Sequence, residues 1–137
     1  MRAPFRLLAV LGVLGLVGCG SLEMSTEGDP ARVLTGKVDM GEAGDLPADA
    51  VVTVRIVDNS VMPPLVLGSQ TIKNPGSSPV DFRVEYVAQD EVLRHGLNIE
   101  ARVSWGGKVR YYNLNSYAVT LGNAPDPHRV TVNRTDR

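Results

Sequence analysis

In the stretch VDFRVEYVA, residues 80–88, Val80, Phe82, Val84, Tyr86 and Ala88 fall on one parity, and Asp81, Arg83 and Glu85 on the other. Successive side chains of an extended chain leave on opposite faces, so this spacing gathers the five apolar groups on one side only if the backbone is a strand. The scheme recurs. AVVTVRIVD puts Ala50, Val52, Val54 and Ile56 together, and LNIEARVSW sets Leu97, Ile99, Ala101 and Val103 against Asn98, Glu100, Arg102 and Ser104. VLTGKVDM, KVRYYN, SYAVTL and RVTVN are shorter versions, and LVLGSQTIK is a weaker strand before Asn74-Pro75-Gly76. From Val33 onward no window carries a helical stripe. One wet face and one dry face per strand predict an all-β fold: an antiparallel β-sandwich of about seven to eight strands, immunoglobulin- or prealbumin-like, over residues 33–137.

The turn at Gly106-Gly107 permits a finer expectation. A two-residue loop pairs Trp105 with Lys108 and turns Val109 and Tyr111 to the side of Ser104 and Arg102. A three-residue loop ending in a left-handed Gly107 pairs Val103 with Val109 and Ala101 with Tyr111, which keeps one apolar face. The pattern predicts the second arrangement, a type I turn with a G1 bulge and Trp105 at or beside the loop.

Ahead of the strands the chain changes character. Arg2 and Arg6 precede an uninterrupted apolar run over residues 7–17. As a helix this run would be about 16 Å long, roughly half a bilayer's hydrocarbon thickness, which suits an export signal and not a permanent span. It ends in Leu16-Val17-Gly18-Cys19, which holds the only cysteine of the chain. That tetrapeptide resembles the lipobox of bacterial lipoproteins. The resemblance implies diacylglycerol on the Cys19 thiol, cleavage between Gly18 and Cys19, and acylation of the new amine. Three acyl chains hold a protein on a bilayer far more firmly than the marginal binding of one. Gly20 at the second position of the mature chain implies the outer membrane in a host with two membranes, and the cell membrane in a host with one. The expected organisation is a signal peptide over 1–18, a lipidated cysteine with a flexible polar tether over 19–32, and the sandwich over 33–137.

Arg2 and Arg6 leave with the leader, so the mature chain carries 12 basic against 15 acidic residues, a net of about −3. Charge of mixed sign argues against a nucleic-acid partner, which calls for a basic face, and gives no polybasic membrane patch. Lipid does the tethering.

With the leader placed, the strands as a set resemble the YbaY/YscW-like bacterial lipoproteins, which include type III secretion pilotins. The features run in order: Leu34-Thr35-Gly36, Leu46-Pro47-x-x-Ala50, Asp58-x-Ser60, Gln70-Thr71-Ile72, Pro79-x-x-Phe82 with Tyr86, Ala101-Arg102-Val103, Gly107, Tyr111-x-Asn113 and Tyr117-x-Val119. They cover about residues 33–134. The resemblance implies a lipid-anchored β-sandwich, and in the pilotin members a partner of the secretin kind. After Asp58 this chain departs from the family's polar segment with the more apolar NSVMPPLVLG.

That departure holds the candidate partner contact: Met62, Pro63, Pro64 and Leu65. Two prolines stiffen the backbone, and methionine and leucine offer adaptable apolar surface. The competing reading makes Met62 a plug for the end of the sandwich and the prolines guards of an edge strand. Asp58 and Ser60 offer an acid and a hydroxyl, and folding can bring His95 or His128 near, but they equally suit a turn at a strand end. Asp126-Pro127-His128 and Asp90-Glu91 with His95 lack a recognised metal spacing. The expectation is therefore no catalytic residue, no metal and no cofactor: a non-enzymatic adaptor or chaperone on the periplasmic face of the outer membrane, binding another envelope protein. The alternatives are a small envelope enzyme acting on glycans, which calls for two carboxylates roughly 5 to 9.5 Å apart in a cleft, and a purely structural lipoprotein.

Overall fold

The alternating segments all form strands in a computed structural model, which describes residues 31–41 and 44–135. The order is β1 (Ala31–Asp39), β2 (Val51–Asp58), β3 (Leu65–Lys73), β4 (Val80–Val87), a short helix α1 (Asp90–His95), β5 (Leu97–Trp105), β6 (Lys108–Tyr112), β7 (Ala118–Val119), β8 (His128–Thr131) and β9 (Asn133–Arg134). Gly18, Cys19 and the expected signal peptide over 1–18 lie outside the described residues. β1 takes in Ala31 and Arg32, two residues that the sequence reading left in the tether. The segment RVTVN divides into β8 and β9, which brings the described strands to nine.

Two sheets face each other. One has the order β4-β1-β8; the other runs β3-β2-β5-β6-β9, with β7 beside β5. Every pairing is antiparallel except that of β1 with β8. The parity argument holds along β4 and most of β2 and β5; at the end of β2, Val57 is buried on the opposite parity as well. Val52, Val54, Ile56, Val84, Ile99 and Val103 are fully buried, while Asp81, Arg83 and Glu85 face water. Each buried Val or Ile contributes roughly 1.5–3 kcal/mol of transfer free energy, so the two central strands β2 and β5 supply much of the driving force. Outside, Glu100 pairs with Arg55 directly across β2 and β5. Arg83 reaches Glu85 along its own strand instead of across to a neighbour.

The Gly106-Gly107 expectation is corrected. Trp105 pairs with Lys108, so the loop has two residues, and both glycines have positive φ, 62° and 77°. The register then shifts between Ser104, opposite Val109, and Val103, opposite Tyr111. Arg110 is the extra residue. This bulge returns Tyr111 to the core and leaves Val109 half exposed. The parity argument assumed an unbroken ladder, and a bulge one step beyond the turn restores the apolar face just as well.

Helix α1 was not expected either. Six residues are too few to display a stripe; one buried side chain, Leu93, pins it to the core. Asp90 and Glu91 sit in its first turn, where they complement the helix dipole. Gly96, at φ 93°, ends it by donating its N–H to the Val92 and Leu93 carbonyls.

Close backbone approaches occur both between the sheets, at Gly68, and within one sheet, at Gly36. A side chain at Gly68 of β3 would run into the Glu85 carbonyl and Tyr86 of β4, and one at Gly36 of β1 into the His128 carbonyl. The Gln70 side chain accepts from the Arg83 N–H at 2.7 Å, so β3 and β4 run antiparallel along this seam. Where β6 has ended and β7 has not begun, the Asn113 amide stands in for a strand. It accepts from the Ala101 N–H at 2.9 Å and donates to the Ile99 carbonyl at 3.0 Å. These registers define two ends. Ala31, Asp58, Leu65, Val87 and α1 share one, the tether end; Asp39, Val51, Lys73, Val80 and Trp105 share the far end.

Candidate functional site

The loop over residues 59–64 leaves β2 at the tether end, and its shape begins with Asp58. That carboxylate is the one buried charged group among the described residues, 7% exposed. Its Oδ1 accepts from the Ser60 backbone N–H at 2.9 Å and from the Ser60 hydroxyl at 2.6 Å. The Ser60 hydroxyl first, then the Ser60 N–H, hold the Asp58 carboxyl below its ordinary value; burial opposes them, and His95 adds a smaller pull in the same direction. The result is an Asx turn that throws the next residues outward.

Folding does bring His95 close. Its Nε2 lies 3.4 Å from Ser60 Oγ and 3.8 Å from Asp58 Oδ1. The order of contacts is nevertheless wrong for a nucleophile relay. In a working triad the serine's proton faces the imidazole, and the carboxylate holds the opposite ring nitrogen. Here the hydroxyl donates to the carboxylate, and one ring nitrogen faces both. The arrangement stabilises a turn. His128 does not complete it: its ring nitrogens are buried without hydrogen bonds, and Asp126 is tied by its N–H to the Asn123 carbonyl. Among the described residues no three His, Cys, Asp or Glu side chains gather as metal ligands.

Beyond the turn the chain exposes apolar groups. Met62 is 89% exposed, so it does not plug the sandwich. Pro63, Pro64 and Leu65 are exposed with it, and the four candidate residues sit together. The prolines lead directly into β3, which is the edge strand of its sheet. Leu67 is the extra residue of a bulge against Ile56 and Val57; it turns inward and packs against the core, while Leu65 and Val66 stay outside. The seam at Gly68 and Tyr86 sets this end of β3 beside Val87. Val87 and Val33 were not singled out from sequence, although the signal was present: both are apolar residues on the wet parity of their strands.

A concavity of about 750 Å³ opens at the far end between Met40, Leu46, Trp105, Tyr111, Val132 and Arg134. Its aromatic rings already have partners. Arg110 lies 5.3 Å over the Trp105 ring and Arg134 5.7 Å over Tyr111.

Comparison with known proteins agrees with this fold. The family described as type III secretion system lipoprotein chaperone (YscW) matches residues 29–132, most of the chain. The chain belongs to the YscW family. The match begins just before β1 and ends after β8, so the YscW region is the sandwich itself. Among solved structures, an alternative pilotin from the type II secretion system of Vibrio cholerae has a similar fold. The TM-score is 0.66 with 24% identity, over 79% of this chain and 100% of that one. No curated protein sequence matches. Among the described residues, no helix is long and apolar enough to cross a membrane.

Proposed function

We propose that this YscW-family chain is a lipid-anchored, non-enzymatic chaperone. Cleavage after Gly18 frees Cys19 for acylation, and the lipid holds the sandwich on the periplasmic face of the outer membrane. The loop of Met62, Pro63, Pro64 and Leu65 binds another envelope protein, a secretin-like subunit of a secretion assembly. The observation that carries this reading is the exposure of that loop: a methionine left almost wholly in water, stiffened by two prolines and fixed by the Asp58–Ser60 turn, has no packing role of its own. Family membership and the fold shared with a pilotin support the chaperone role. The Ser60 proton directed at Asp58 instead of His95 supports the absence of hydrolytic chemistry.

Deletion of the gene tests the reading in its host. The expected result is loss of secretin-like multimers from the outer membrane. A double variant Met62→Asp/Leu65→Asp, expressed at the normal level, is expected to reproduce that loss. Full restoration of the multimers by the double variant would refute the contact.

A further inference from the structure

The end of the sandwich that exposes apolar groups is also the end at which the chain enters. Ala31 opens β1 opposite Val87, and Val33, Val61, Met62, Leu65, Val66 and Val87 all lie towards that end. Val66 is brought beside Val87 by the antiparallel β3–β4 seam, so the six side chains belong to adjoining strands and the loop that precedes one of them. Val109 and Tyr112, exposed apolar residues of β6, lie opposite Ser104 and Arg102, towards the far end.

We propose that, until a partner protein binds, this tether end seats in the headgroup layer of the bilayer that carries the Cys19 lipid, with Met62 and Leu65 reaching towards the acyl chains. The inference rests on the anchoring proposed above. Eleven residues, 20–30, separate Cys19 from Ala31, a span of no more than about 40 Å even when fully extended. A surface held that close meets the bilayer at high effective concentration, so weak contacts suffice to orient it. The chemistry of the loop suits lipid. Pro63 and Pro64 carry no N–H, which removes two donors that a backbone entering an interface would otherwise leave unsatisfied. Met62 and Leu65 add apolar area without charge. The surrounding charges nearly cancel: Arg32 pairs with Asp90 at 2.6 Å, and Glu91 and Arg94 share the surface of α1. An anionic headgroup layer therefore meets neither a repulsive nor a strongly attractive field, and apolar contact decides. A partner protein would meet the loop at the membrane surface.

The test uses the full mature lipoprotein in vesicles of phosphatidylethanolamine and phosphatidylglycerol. Because the one native cysteine carries the lipid, Met62→Cys supplies a single free thiol for an environment-sensitive dye, and Lys108→Cys supplies one at the far end. Seating predicts at least twofold quenching of the residue-62 dye by a nitroxide on the lipid, and several-fold less quenching by aqueous iodide than at residue 108. A dye at Asn59→Cys, beside the native Met62, is expected to show the same protection and to lose it in Met62→Asp; this separates seating from insertion driven by the dye. Equal iodide access at 62 and 108 overturns the proposal. So does protection from both quenchers, since protein and not lipid would then cover the loop. Mass spectrometry of the same sample reads the lipid on Cys19. A chain without it refutes the anchoring and the seating with it, whereas a lipidated chain whose dye stays in water refutes the seating alone.

Discussion

The two ends of the sandwich are built from the same kinds of segment, turns between antiparallel strands, yet they treat apolar side chains in opposite ways. At the far end Trp105 packs against the core, its ring 6.2 Å from that of Tyr111, and the Arg110 guanidinium lies over the indole. Loops there are tied to one another: Leu46 donates to the Gly76 carbonyl at 2.7 Å and Ser78 to the Gly44 carbonyl at 3.0 Å. At the tether end the Asp58–Ser60 turn is equally well bonded, but what it presents is Met62, with nothing packed over it. The comparison teaches that exposure of Met62 is not the looseness of a poorly made loop. A fixed turn holds it out.

The largest expected effect separates the ends by stability. Trp105→Ala should lower the free energy of unfolding by about 2–3 kcal/mol, somewhat less than for a fully buried tryptophan, because the side chain is only partly covered. Urea denaturation measures it; a loss under about 0.5 kcal/mol would erase the distinction between the ends.

Acid provides an intermediate effect at the tether end. The Asp58 carboxyl is held below its ordinary value mainly by Ser60, so its contribution is present at neutral pH and lost as pH falls below about 4, through the lowered folded-state value. Ser60→Ala removes the largest cause. The variant should be about 1 kcal/mol less stable at pH 7, and the difference from the parent should be smaller at a pH below the ordinary carboxylate range. Parallel urea titrations at the two pH values check the sign, and a difference that grows on acidification would contradict the turn's role.

The smallest expected effect is the most telling for the comparison. Met62→Ser should change stability by no more than about 0.5 kcal/mol in either direction, since little is packed against the side chain. Thermal unfolding of the full chain and its variant reads this directly. A loss comparable to that of Trp105→Ala would mean that Met62 belongs to the core after all.

Much of this was legible beforehand, and the reason lies in the kind of information each feature carries. The buried faces of β2, β4 and β5 followed from parity, because side-chain direction in a strand is set by the residue's own backbone and needs no partner. The exposure of residues 62–65 is consistent with the stiff, apolar segment that two prolines between methionine and leucine suggested, although the sequence equally allowed Met62 to be a plug of the core. The Gly106-Gly107 register was misread because a bulge at Arg110 is a property of two strands together. The nearness of His95 to Ser60, 35 residues apart in the chain, had no local sign at all.

The sequence alone determined the strands, their dry faces and the lipobox-like motif at Cys19, since alternation and short-range spacing act through covalent geometry. Tertiary structure decided which loops share an end, that Gly36 and Gly68 admit no side chain, that Asn113 completes β5, and that Met62 stands clear of the core. Those facts depend on which strands pair and in what register, a choice made by the packing of distant residues into one interior and visible in no single stretch of the chain.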